Sequence, residues 1–337
     1  MKKSLKVLAA LAMCVSLGAC SSSSDSSSDA SDSSSTDASS VKIGVVQYAE
    51  HPALDNAYEG FKDYLLENGY SEDNIDFKNA QGDQSNCSTI AQAFVNDDVD
   101  LIYAIATPPA QAAANLTDTI PIVVSAVTDP ETSGLVESNE QPNTNVTGAS
   151  DLTPVEDQLD LLKEILPDAK KIAIMYCNAE DNSVFQAQIA EEAADALGLE
   201  WVEATVTDSN QIQQVTESLI GKVDAIYIPT DNLLAEGMTA VTQVTNENGI
   251  PTIVGEEGIV SNGGLATYGI DYYELGKLAG EQAVAILNGE SDPKDMAIAY
   301  LPGEKCTLTI NQSVADKLGI TIPSDLLDRA EIITEEE

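Results

Sequence analysis

The sequence predicts an α/β protein made of two doubly wound, parallel-sheet lobes joined by a three-stranded hinge. Three observations carry this. From Val41 onward, apolar β-branched runs alternate with amphipathic segments, and strands alternating with helices of about 10–15 residues mean βαβ units and parallel sheet. The alternation occurs twice in the same order, which divides the body into two similar halves. The body, residues 41 to 337, is long enough for two domains of ordinary size.

Taken in order, strands are predicted at 42–47, 76–79, 101–106, 121–127, 171–176, 200–204, 225–229, 252–255 and 265–268. Between the first two, Leu54, Ala57, Tyr58, Phe61, Tyr64 and Leu65 recur at the spacing of one buried helical face. Phe185, Ile189, Ala193, Ala196 and Leu197 do the same in the second half. The repeat is visible residue by residue. Val41 to Val46 matches Lys171 to Tyr176, Asp100 to Tyr103 matches Asp224 to Tyr227, and Thr119 to Val123 matches Gly249 to Ile253. The chain is expected to cross between lobes near Gly148–Thr153, near Ile270 and near Ala297. One lobe then comprises 41–149 plus 270–296, and the other 150–269 plus 297–337.

Ahead of this body lies a targeting pattern. Lys2, Lys3 and Lys6 precede an apolar run from Val7 to Leu17, too short to span a bilayer and of the size of a secretory signal. Leu17-Gly18-Ala19-Cys20 has the Leu-x-x-Cys form of a bacterial lipobox. Residues 1–19 are therefore expected to be removed and Cys20 diacylated, two acyl chains being enough for stable anchoring. Residues 21–40 contain only Ser, Asp, Ala and Thr, so nothing there anchors a core. As a flexible tether, this segment has a typical end-to-end distance of about 25 Å.

The formal net charge is −41, and the expected processing removes three more lysines. Such a body is repelled by nucleic acid, and no nucleic-acid partner is expected. Beyond Cys14 and Cys20, the cysteines are Cys87, Cys177 and Cys306, with no C-x-x-C spacing, and His51 is the sole histidine. A disulfide framework is excluded and no metal site or cofactor is expected. Three buried thiols are the favoured arrangement over one disulfide and one free thiol.

In an open parallel sheet, the ligand crevice lies beyond the carboxyl ends of the strands. The loops there are 47–52, 106–111, 127–130, 178–183, 229–232 and 255–258. Pro108 or Pro109 suits a first helical turn, and Asn182, Ser183 or Asp231 can cap. Helix N-termini favour an anion, while Asp129, Asp231, Glu256 and Asp271 bring negative charge to the same ends. Donors for an anion beside carboxylates for a cation suit a zwitterion such as an amino acid. Each acid alone is equally well explained as a turn or cap residue.

At these loops the chain resembles ABC-transporter substrate-binding proteins of the tryptophan/tyrosine type. The resemblance rests on Gly82–Asn86, Ala104–Ala112, Ala126–Pro130, Val146–Gly148, Ile228–Asn232 and Thr267–Tyr273. It runs from about residue 41 to 333. It implies a type I periplasmic-binding-protein fold, a monomer closing on a small ligand, and delivery to an ABC permease and its ATPase at the outer face of the cytoplasmic membrane. Carried over by position, it places the ligand's ammonium and carboxylate among Thr107, Ser125, Thr128, Asp129, Thr230, Asp231 and Glu256. Gln47, Asn182, Ser183 and Asp271 are secondary candidates. The chain departs from the family at Cys177-Asn178-Ala179-Glu180, where relatives more often carry Asn-Pro-Ser-Glu, and at Cys87 and Cys306.

An enzyme is the main rival, but no Gly-x-Ser-x-Gly elbow or phosphate loop is present. His51 fits a cleft rim or packing role, and only a carboxylate-based hydrolase stays open on residue type. A lipid-anchored sensor for a receptor kinase would share the fold, and a nucleoside or sugar could replace the amino acid. Trp201 and Tyr103 are expected in the core. Tyr48, with Tyr272 or Tyr273, is expected near the cleft.

Overall fold

The computed structural model describes residues 40–302 and 306–334. The expected signal, Cys20 and most of the tether lie outside the described residues. The first lobe holds β1 (Ile43–Gln47), α1 (Pro52–Glu67), β2 (Ile75–Asn79), α2 (Gln84–Asn96), β3 (Leu101–Ile105), α3 (Thr107–Ala114), β4 (Ile122–Ser125), β5 (Val146–Ser150), α9 (Tyr272–Leu287) and β11 (Ala299–Tyr300). The second holds α4 (Val155–Ile165), β6 (Lys171–Cys177), α5 (Asp181–Ala196), β7 (Glu200–Val206), α6 (Ile212–Ser218), β8 (Ala225–Ile228), α7 (Asn232–Asn248), β9 (Thr252–Val254), α8 (Glu257–Ser261), β10 (Ala266–Gly269), β12 (Thr307–Asn311), α10 (Gln312–Leu318), α11 (Ser324–Leu327) and β13 (Glu331–Ile333).

The first sheet has the order β2-β1-β3-β4-β5-β11 and is parallel throughout. The second runs β7-β6-β8-β9-β10-β12-β13, with a single antiparallel pairing between β10 and β12. Strand residues alternate between two faces, each covered by helices. Val45 and Tyr103 pack under α1 and α9, whereas Val46 and Ile102 pack under α2 and α3. In the second lobe Ile174 and Tyr227 join the core beneath α4 and α5, and Met175 and Ile226 the one beneath α7.

Helix α9 returns to the first lobe because it fits α1 at close range. A Cβ on Gly276 would stand 2.0 Å from the Ala57 carbonyl oxygen, and one on Gly60 would stand 1.9 Å from that of Tyr273. Only glycine lets the two backbones approach this closely. Tyr103 is in the core as expected, stacked on Phe61 with ring centroids 3.7 Å apart.

All nine expected strands form, and β5, β11, β12 and β13 are additional. The chain passes between lobes after Ser150, at Ile270–Asp271, and between Tyr300 and Thr307. The third passage falls later than Ala297, because Ala299 and Tyr300 still pair with Ala149 and Ser150 of the first sheet. Trp201 is on the edge strand β7, half-buried, with its Nε1 donating to Asp195 Oδ1 at 3.0 Å. It packs against the second-lobe core from its border, half-buried and not within it. The three described cysteines are free; Cys87 and Cys177 are buried and Cys306 is half-buried, so the third thiol departs from the expectation.

Candidate ligand-binding site

The carboxyl ends of the two sheets face each other, and side chains from both meet there. His51 Nε2, entering α1, lies 3.3 Å from Asn232 Oδ1 at the start of α7. Gln84 on α2 donates to the Ala179 carbonyl at 3.1 Å, and Gln111 on α3 donates to Asp181 Oδ2 at 2.8 Å. Deeper in, Gln186 on α5 reaches Thr128 Oγ1 at 3.3 Å. The lobes are thus closed on each other, and at one edge of their seam lies a hollow of ≈ 610 Å³ with Tyr48, Gln84, Cys177 and Glu180 in its wall. A larger groove of ≈ 800 Å³ lies at the opposite, amino-terminal ends of β4 and β5, around Pro121 and Asn145. The interlobe side is the candidate site, because a parallel sheet presents its ligand crevice beyond the carboxyl ends of its strands and the orphaned polar atoms of Gln47, Thr107, Asn182 and Thr230 lie at those ends.

Buried polar atoms normally have partners. Four of the exceptions among the described residues belong to predicted ligand-binding positions: Gln47 Oε1, Thr107 Oγ1, Asn182 Oδ1 and Thr230 Oγ1. Two come from each lobe, all at strand ends or helix starts. Their orientation is fixed by their other atoms. The Gln47 amide nitrogen donates to the Ala49 carbonyl and to Asp55 Oδ1, both at 2.7 Å. That of Asn182 donates to Ser183 Oγ at 3.2 Å and to the Thr230 carbonyl at 3.3 Å. Each free oxygen is therefore an acceptor with no donor. Thr107 follows Ala106, held at φ 90°, a strained backbone for a residue with a Cβ. The strain aims the turn from β3 into α3.

The remaining predicted residues have other work. Ser125 Oγ is hydrogen-bonded to the Tyr103 hydroxyl inside the lobe. Thr128 donates to Asp151 Oδ1 at 3.0 Å. Ser183 is buried beside Asn182 and Asp231. The four acids are caps. Asp129 accepts from the Thr132 amide at 2.7 Å and from Asn139 at 3.1 Å within its own loop. Asp231 caps α7 through the Leu234 amide at 2.8 Å and takes the Cys177 amide at 2.6 Å. Glu256 caps α8 through the amides of Gly258 and Ile259, and Asp271 caps α9 through those of Tyr273 and Glu274. Helix and turn starts leave free N–H groups, and these carboxylates satisfy them.

Sequence reasoning missed Gln186, Glu180, Asn232 and Asp151. Gln186 is fully buried and clamps Thr230 through both its backbone carbonyl, at 2.9 Å, and its amide, at 3.3 Å. Glu180 accepts from Asn232 and from the Leu233 amide; burial and the nearby Asp231 raise its carboxyl well above the ordinary range. Burial raises Glu256 to about 7 and lowers His51 to about 4. Tyr48 lies at the cleft, its hydroxyl 3.0 Å from the Gly82 carbonyl. Tyr272 is also buried there, whereas Tyr273 turns away to Asp63 on the surface of α1. No cluster of metal-ligating residues occurs among the described residues.

The profile of the ABC transporter substrate binding protein family matches residues 42–333. The chain belongs to this family. It is 45% identical over 294 residues to a tyrosine-binding protein of Clostridioides difficile, covering 86% of this chain and 85% of the relative. Its structure superposes with a TM-score of 0.84, at 36% identity, on an ABC domain in complex with L-Trp from Streptococcus pneumoniae, covering 88% and 99% of the two chains. A ligand-free, open substrate-binding protein with adhesive properties from Clostridium difficile is 43% identical over 88% of this chain and 100% of its own, yet superposes at 0.67. The closer sequence is the less similar shape, and the ligand-bound structure is the nearer one. The chain is a substrate-binding protein of an ABC system and not an enzyme. Proteins of this family act outside the cytoplasm, and no described helix is long and apolar enough to cross a membrane.

Proposed function

We propose that this protein captures an aromatic L-amino acid, tyrosine or tryptophan, between its lobes and delivers it to an ABC permease and its ATPase. The four orphaned polar atoms at the strand ends carry the reading. Gln47 Oε1 and Asn182 Oδ1 offer lone pairs to an ammonium, and the hydroxyls of Thr107 and Thr230 can donate to a carboxylate. Each would leave a buried group unpaired without a ligand, at a cost of about 1–3 kcal/mol per group. The ligands named for the tyrosine-binding relative and the L-Trp complex support the aromatic side chain. Ser125, Thr128 and Ser183 support the contact residues from behind, and Asp129, Asp231, Glu256 and Asp271 shape the loops that present them.

The protein works as a monomer, held at the outer face of the cytoplasmic membrane by acyl chains on Cys20. A thermal-shift screen of amino acids, nucleosides and sugars tests the ligand class. A ligand at a hundredfold excess over its dissociation constant adds about 2.7 kcal/mol of stability, a shift of several degrees. Response to sugars or nucleosides and to no amino acid rejects the reading. Acyl labelling of the wild type but not of Cys20→Ser tests the anchor.

A further inference from the structure

Gln186 and Thr128 make the most deeply buried of the four contacts across the seam, at 0% and 1% exposed. Theirs is also the one in which the same side chain holds a proposed ligand contact. Gln186 Nε2 donates to the Thr230 carbonyl at 2.9 Å, and its Oε1 accepts from the Thr230 amide at 3.3 Å. One planar amide thus fixes both backbone polar groups of Thr230, whose own hydroxyl is without a partner. That hydroxyl is left with a single rotation to find one.

An amide nitrogen has two hydrogens. One serves the Thr230 carbonyl. The other lies between the Asn182 carbonyl at 3.2 Å, inside the lobe, and Thr128 Oγ1 at 3.3 Å, across the seam. Thr128 gives its own proton to Asp151 Oδ1 at 3.0 Å, so its oxygen is free to accept. Asp151 Oδ2 takes the Tyr272 hydroxyl at 2.8 Å, and Tyr272 comes back beside Thr230. Five side chains therefore run from Thr230 through Gln186 into the first lobe, along Thr128, Asp151 and Tyr272, and return to where they started.

Resting on the reading of Thr230 as a ligand contact, we propose that Gln186 is a positioning residue that couples ligand capture to lobe closure. It presents Thr230 to the ligand and, through the same amide, ties that strand end to Thr128 of the other lobe. Opening the lobes parts Gln186 from Thr128 but leaves its hold on Thr230 intact. The bond across the seam belongs to the closed state alone, so it adds to ligand affinity and not to the stability of the open protein.

A double-mutant cycle of Gln186→Leu and Thr128→Val, titrated with L-tyrosine, tests this. Each single variant is expected to weaken binding. The double variant is expected to be weakened by about three- to tenfold less than the product of the two, the scale of one neutral hydrogen bond. Urea unfolding of the same four proteins without ligand is expected to be additive, because the two residues then lie in separate lobes. Multiplicative losses of affinity, or equal coupling in the ligand-free protein, overturn the proposal and leave the amino-acid reading standing. If Gln186→Leu does not fold, Thr128→Ser against Thr128→Val decides. The serine variant keeps the hydroxyl and is expected to bind within about threefold of the wild type, with the valine variant weaker than it by threefold or more. Equal affinity of those two overturns the proposal. A wild type that binds no aromatic amino acid overturns both it and the reading on which it rests.

Discussion

His51 and Asn232 meet from opposite lobes, Nε2 to Oδ1 at 3.3 Å. The Asn232 amide nitrogen is committed to Glu180, so its oxygen faces the ring and Nε2 carries the proton. Nδ1 is left buried without a partner, and a second proton would have nowhere to go.

Acid therefore works against the closed, folded protein. His51 falls from its ordinary 6.5 to about 4 through burial. Its stabilising contribution is complete above 6.5 and is lost as pH falls towards 4, because the unfolded chain takes up the proton first. The loss amounts to roughly 3 kcal/mol at about 1.36 kcal/mol per pH unit. Glu256 acts in the opposite sense: raised to about 7 from 4.5, it stabilises at low pH and loses that contribution as pH rises through 7. Comparing His51→Gln with the wild type isolates the histidine. Denaturation curves from pH 7 to 4 should show the wild type losing stability relative to the variant, and parallel curves would contradict the assignment.

Asp231→Ala is expected to act on the fold before it acts on the ligand. It removes the α7 cap and leaves the buried Cys177 amide without an acceptor. The cap is worth about 1 kcal/mol and the orphaned amide about 1–3 kcal/mol. Urea titration without ligand should reveal a loss of this size. A variant of unchanged stability with abolished binding would instead make Asp231 a direct contact.

Gly276→Ala should be among the most damaging single-methyl changes. The added carbon would stand 2.0 Å from the Ala57 carbonyl, backbone against backbone, with no rotamer to relieve it. Overpacking typically costs about 1–3 kcal/mol, and a clash this deep belongs at or above the top of that range. Gly289→Ala is no test of packing, since φ 71° strains it while nothing lies within 4 Å. Thermal melts of Gly276→Ala should fall by several degrees or fail to yield folded protein.

The central parallel strands were legible because they are continuous apolar runs rich in β-branched residues and buried on both faces, whereas the edge strands β2 and β7 are largely exposed or half-buried. Those missed lacked that signature. Strand β5 reads Val-Thr-Gly-Ala-Ser, β11 has two residues, and β13 opens on Glu331. Strand β12, with Leu308 and Ile310 inward between threonines, was the one that alternation could have found. The proposed contacts Gln47, Thr107, Asn182 and Thr230 were reachable because strand ends are where a parallel sheet presents a site. Gln186 was not, because nothing in one sequence separates it from the exposed Gln188 on the same helix. The available hint was its i+4 spacing from Asn182. Asp151 follows the carboxyl end of β5 directly, but β5 carries no apolar run to mark that strand end. The four predicted acids belong to helix starts and a turn, which need carboxylates whether or not a ligand is present.

The triple passage between lobes has a consequence for how the chain is made. Ala53, Ala57, Phe61 and Leu65 on α1 are covered by α9, which is synthesised some two hundred residues later. The early half cannot complete its own core as it emerges, whereas most of the later half is already contiguous. Synthesis therefore runs well ahead of assembly: until α9 emerges, the portion made first presents a greasy helix face for a holding factor to shield.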